Sequence, residues 1–134
     1  MKKTLLPVAA IACLLSGCAH TPVYYNTAGA PKESLAYLET ANSLALDTAI
    51  EAVYAANGKR IFGTDEPFGQ NRFKRIFLQP GRYRVLVSCT IGVDAHASPS
   101  FDIALSSGDR YRVTCRPVRD GRTRMMEAAV EAIP

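Results

Sequence analysis

Two stretches of this chain alternate between apolar and polar residues at almost every step, and that period leaves few folds open. In Arg82–Ile91, Tyr83, Val85, Val87, Cys89 and Ile91 share one face, while Arg82, Arg84, Ser88 and Thr90 take the other together with Leu86. In Arg110–Arg116, Tyr111, Val113 and Cys115 oppose Arg110, Arg112, Thr114 and Arg116. Successive side chains of a strand point to opposite faces, so each stretch reads as a strand with one face buried. Ser100–Leu105 repeats the pattern, with Phe101, Ile103 and Leu105 inward and Asp102 outward. Cys89 and Cys115 both fall on apolar faces. A disulfide through the core requires that parity; the alternative is two buried free thiols, because cysteine packs as a small hydrophobe.

The joints agree with strands. Gln79-Pro80-Gly81 is a turn signal between Phe73–Leu78 and Arg82–Ile91. Ser107-Gly108-Asp109 is expected to close a short hairpin onto the Tyr111 strand, and Asn57-Gly58 suits a type I′ turn pairing Ile50–Ala56 with Lys59–Phe62. Two segments fit either state. Ser34–Ala56 is rich in Ala and Leu, which favour helix, but the Asn-Gly turn needs a strand before it. We read strands near Leu35–Thr40 and Thr48–Ala56. Residues 124–133 have helical propensity. As an edge or closing strand they place Met126, Ala128, Val130 and Ala132 opposite Glu127 and Glu131.

About seven short strands with turn signals between them predict an all-β fold, a β-sandwich. Leu78-Gln79-Pro80-Gly81-Arg82-Tyr83-Arg84-Val85 and Gly108-Asp109-Arg110-Tyr111-Arg112-Val113 resemble the "L-x-P-G-x-Y-x-V" and "G-x-x-Y-x-V" strands of small periplasmic lipoproteins, and Asn57-Gly58-Lys59 is similar to their earlier turn. That resemblance covers about sixty residues. It implies an immunoglobulin-like or transthyretin-like sandwich, and its motifs speak to fold rather than to activity.

The N-terminus speaks to place. Met1-Lys2-Lys3 is basic, Thr4–Leu14 is mostly apolar, and small residues precede Cys18. This is the pattern of a secretory signal peptide, and the apolar run is too short to span a bilayer. Leu15-Ser16-Gly17-Cys18 resembles the lipobox of bacterial lipoproteins. The resemblance implies cleavage after Gly17 and a diacylglyceryl group on the Cys18 sulfur, a covalent lipid and the one prosthetic group expected. With Ala19 rather than Asp after the cysteine, it also implies the outer membrane, facing the periplasm. Residues 1–17 are then the signal peptide, 18–33 a lipidated N-terminus and flexible tether, and 34–134 the sandwich domain. Pro22, Asn26, Gly29 and Pro31 punctuate the tether. Its fifteen or so residues would span up to ~50 Å extended, so the domain need not touch the membrane. Tyr24 and Tyr25 would sit at the lipid interface or pack on the domain. Export leaves Cys89 and Cys115 as an even pair in an oxidising compartment.

Catalytic signals are sparse. His20 and His96 have no second histidine or cysteine at ligand spacing, so no metal site is expected. Asp94 and His96 sit together in the expected Gly92–Pro99 loop with no nucleophile assigned to them. Ser106-Ser107-Gly108 lies between two strands, unlike a nucleophile elbow. Asp65 and Glu66 are sequence neighbours rather than carboxylates held across a cleft. The expectation is therefore a non-enzyme. After removal of Lys2 and Lys3 the formal charge falls from +4 to +2, and from Lys59 to Arg124 basic residues outnumber acidic ones about two to one. Arg72, Lys74, Arg82 and Arg84 are the candidate basic binding face, for lipopolysaccharide phosphates or an anionic glycan; the plainer reading is alternating Arg that keeps an outer sheet face soluble. Nucleic acid is not expected of an exported protein. The favoured partner is another envelope protein, reached by a domain anchored through its lipid.

Overall fold

The computed structural model describes residues 22–25, 27–41, 46–63, 72–92, 95–121 and 123–134. Cys18 and the rest of the lipobox lie outside these residues, as do Asp65, Glu66 and Asp94. The described chain is all-β: β1 (Val23–Tyr25), β2 (Ala36–Thr40), β3 (Leu46–Ala55), β4 (Arg60–Gly63), β5 (Arg75–Leu78), β6 (Gly81–Ile91), β7 (Ala95–Ala97), β8 (Ser100–Leu105), β9 (Arg110–Asp120) and β10 (Thr123–Ala132). Both ambiguous segments are strands, β2 with β3 and β10; β2 and the middle of β3 are buried on both faces, and pairing within the sheets prevails over helical propensity.

Two sheets pack face to face as a sandwich. The first runs β1-β5-β2-β9-β10, and the second runs β4-β3-β6 with β7 and β8 along the far side of β6. Their inner faces meet in one core of Leu38, Ile50, Val53, Ile76, Val85, Val87 and Val113, all fully buried. The Cys89–Cys115 disulfide crosses this core from β6 to β9, with Cα atoms 5.8 Å apart. Next to it the Thr48 hydroxyl accepts from the Cys115 amide at 3.3 Å.

The structure corrects four local expectations. The sheet begins inside the segment read as a tether: Val23–Tyr25 pairs in parallel with Ile76–Leu78, and Tyr25 stacks on Phe62 with centroids 4.2 Å apart. Three residues are too few to show a period, and their partner is remote in sequence. Ser107-Gly108-Asp109 does not close a hairpin; β8 pairs with β6 while β9 lies in the other sheet, so the turn crosses between layers. The Asn57-Gly58 turn is not type I′, because only Gly58 has positive φ (+83°). The Gly58 amide donates to Ala55 O and the Ala55 amide to Lys59 O, and Asn57 Oδ1 caps the Lys59 amide. The Gly92–Pro99 loop contains β7, whose register with β6 continues into β8. Pro99 interrupts that edge because it lacks an amide, although its carbonyl still accepts from Val87.

Candidate functional site

One long side of the sandwich is closed and the other is open. On the closed side, Tyr25 of β1, Phe62 of β4 and Phe73 form an aromatic seam between the sheet edges. On the open side, β10 approaches β8 and faces β7 across a gap. A groove of about 1080 Å³ runs there, lined by Ile91, His96, Ser98, Val118, Arg119, Met125 and Met126 among others. Its exposed apolar residues are Met125, 54% exposed, and Ile91, 39% exposed. Alternation in β6 places Ile91 on the core face, but β6 outruns its cover there, so the side chain meets solvent.

A chain of polar side chains borders this groove. Thr90 Oγ1 lies 3.4 Å from His96 Nδ1, His96 Nε2 lies 3.1 Å from Ser98 Oγ, and Ser98 Oγ donates to Glu51 Oε2 at 3.5 Å. Glu51 is 3% exposed. The order is not that of a nucleophilic triad, in which a carboxylate orients the histidine nitrogen remote from the hydroxyl. Here that nitrogen faces Thr90, and the carboxylate faces the serine. The arrangement ties β3 to the β7 edge and fixes the groove wall. Sequence reasoning singled out His96 and missed its partners. The i, i+2 spacing of His96 and Ser98 was a usable signal; Glu51 and Thr90 come close only through the sheet.

The four residues of the expected basic face fall into two groups. Arg72 and Lys74 both converge on Asp47 of β3, and Lys74 Nζ also donates to Thr48 O at 2.6 Å. Burial alone would raise the Asp47 carboxyl, but the hydrogen bond and charge of Lys74, with the charge of Arg72, outweigh it and hold the group below its ordinary value. Arg84 pairs with Asp102 of β8 at 2.9 Å. The hydrogen bond from Arg84 holds the Asp102 carboxyl low, and the same bond raises the guanidinium. Asp47 stands opposite Thr90, six residues along β6 from Arg84, so the two groups lie about 20 Å apart. Arg82 and Arg84 instead border a separate cleft of about 750 Å³ with Tyr54, Ala56, Gly58 and Asp102. The outer arginines of β9 are likewise engaged across strands: Arg112 bridges Glu39 of β2 at 2.7 Å and Glu131 of β10 at 3.8 Å, and Arg116 pairs with Glu127. Alternating Arg here laces a sheet face together rather than forming one cationic patch.

Among the described residues no group of three or more His, Cys, Asp or Glu is placed to hold a metal ion. No family model matches the chain, and neither a curated protein nor a solved structure matches it.

Proposed function

We propose that this chain is a lipid-anchored lipoprotein of the bacterial envelope, held at the outer membrane through Cys18, and that its sandwich is a non-catalytic module that docks to another envelope protein. The lipobox-like Leu15-Ser16-Gly17-Cys18 supports the anchor. The observation that carries the docking reading is β10, a ten-residue strand that ends the first sheet with one side unpaired among the described residues. A bare edge presents a row of amides and carbonyls that another protein's strand completes. Val130, 36% exposed at that edge, supplies apolar contact beside them. A glycan or lipopolysaccharide site on Arg72, Lys74, Arg82 and Arg84 draws no support from Arg72 and Lys74 engaged by Asp47, or from Arg84 engaged by Asp102 at the other end of β6.

The test is photo-crosslinking in cells with a benzophenone side chain at Val130, compared with one at Lys59 on the β3–β4 turn. A discrete protein adduct at Val130 that is missing at Lys59 is the expected outcome. No protein adduct at any exposed β10 position would overturn docking through this edge.

A further inference from the structure

We propose that the β9–β10 end of the sandwich is a contact surface for an anionic bilayer, an inference that rests on the anchoring of Cys18 proposed above. Strand direction comes first. β1 is parallel to β5, β5 is antiparallel to β2, and β2 is parallel to β9. The chain therefore enters β1 from the end toward which β9 runs, and Cys18 and the β9–β10 hairpin lie on the same side.

Lengths along the chain then set how near that end comes to the lipid. Val23 is level with Tyr111 through the partners Ile76 and Leu38. From Tyr111, β9 continues nine residues to Asp120, about 30 Å at ~3.3 Å per residue. From Val23 back to Cys18 is five residues, about 17 Å at full extension. Neighbouring strands turn by ~20–25° each, so over the three steps from β1 to β9 the β9 length projects to roughly 10–15 Å along β1, close to the full reach of the tether. With the acyl chains of Cys18 in the bilayer and β1 leading away from it, the hairpin end comes level with the headgroups. The expected long tether would have spared the domain this contact; a sheet that begins at Val23 does not.

The chemistry of that end fits the surface it meets. Between Arg116 and Glu127 the sequence holds four arginines against Asp120 and Glu127, with Met125-Met126 among them, and Arg116 pairs with Glu127. Arg119 and Pro117 are exposed, and Met125 and Ile91 project beside them at the mouth of the groove. Basic groups flanking apolar side chains suit a boundary where anionic headgroups give way to hydrocarbon, and the attraction acts within a Debye length of about 10 Å. The opposite end carries two exposed turns, Ser106-Ser107-Gly108 and Asn57-Gly58-Lys59, with no large apolar side chain exposed in either.

The chain has no tryptophan, so one introduced indole reports alone. The acylated full chain, its lipid verified by intact mass, is reconstituted in phosphatidylglycerol-containing vesicles whose acyl chains are brominated. Met125→Trp is expected to lose most of its emission to the bromines, while Ser107→Trp keeps its own. Phosphatidylcholine vesicles are expected to quench Met125→Trp less. An acylated protein in which Met125→Trp stays bright, or in which Ser107→Trp is quenched instead, overturns this inference alone. A mass without acyl groups overturns the anchor and this contact with it.

Discussion

Gly63 is the residue whose identity the fold constrains most tightly. Its φ is +97°, and a Cβ there would lie 2.0 Å from Glu51 O and 2.5 Å from Ala52 Cα, where β3 shifts register against β6 and the chains crowd. Gly63→Ala is expected to cost about 3 kcal/mol or more, because neither strand can withdraw without breaking the sheet; urea denaturation gives the value, and a loss below experimental error would refute the account. Gly81 matters for space. A Cβ at that position would come within 3.3 Å of the Tyr83 hydroxyl, which donates to Gln79 O at 2.5 Å. The Pro-Gly-x-Tyr signature thus encodes a tyrosine folded back on its own turn. Tyr83→Phe removes the bond and should cost about 1 kcal/mol. Burial raises the phenols of Tyr37 and Tyr83 above their ordinary value near 10, with the Glu39 hydrogen bond adding to the rise at Tyr37. Folded pKa values above the unfolded ones make this contribution to stability complete below pH 10 and lost as pH rises through them. Alkaline unfolding curves should flatten in the Tyr37→Phe and Tyr83→Phe variants.

At the scale of strands, the disulfide and the Asp47 cluster join elements that are remote in sequence. Cys89 and Cys115 are 26 residues apart, and closing a loop of that size in the unfolded chain gives about 3.5 kcal/mol. The Cys89→Ala/Cys115→Ala double variant should lose about 2–4 kcal/mol against the oxidised parent in thermal or urea unfolding; equal stability would show that core packing alone fixes the two sheets. Asp47 has the opposite sign to the tyrosines. Its folded pKa lies below its ordinary value, so its contribution is present above the unfolded pKa and disappears as pH falls through the folded one. Asp47→Asn should therefore shallow the acid limb of the stability profile. These elements also divide what was legible from what was not. β6, β8 and β9 were readable because alternation is local, and the same alternation gave the parity of the two cysteines. β1 and β7 were not, since three residues carry no period and their assignment comes from partners elsewhere. The four cations of the candidate basic face lie in two groups for a related reason: sequence counts cations but does not say which carboxylates fold onto them.

For the whole molecule, the anchor proposed at Cys18 would leave only a short link between lipid and a sheet that begins at Val23. Intact mass spectrometry of protein extracted from membranes should show a chain starting at Cys18 with acyl additions and two cysteines that react with alkylating agent only after reduction. Unacylated product would remove the anchor and leave a free binding module. The sheet order has a further consequence, in time rather than in space. Arg112 and Glu39, paired across β9 and β2, are 73 residues apart. A chain made from its N-terminus presents β1 and β2 long before their neighbours exist, and β9 must emerge before the first sheet can close. Non-local pairing of this kind folds slowly and leaves apolar strands uncovered while it waits. β2 thus keeps one edge open until the last twenty-five or so residues, β9 and β10, complete the first sheet.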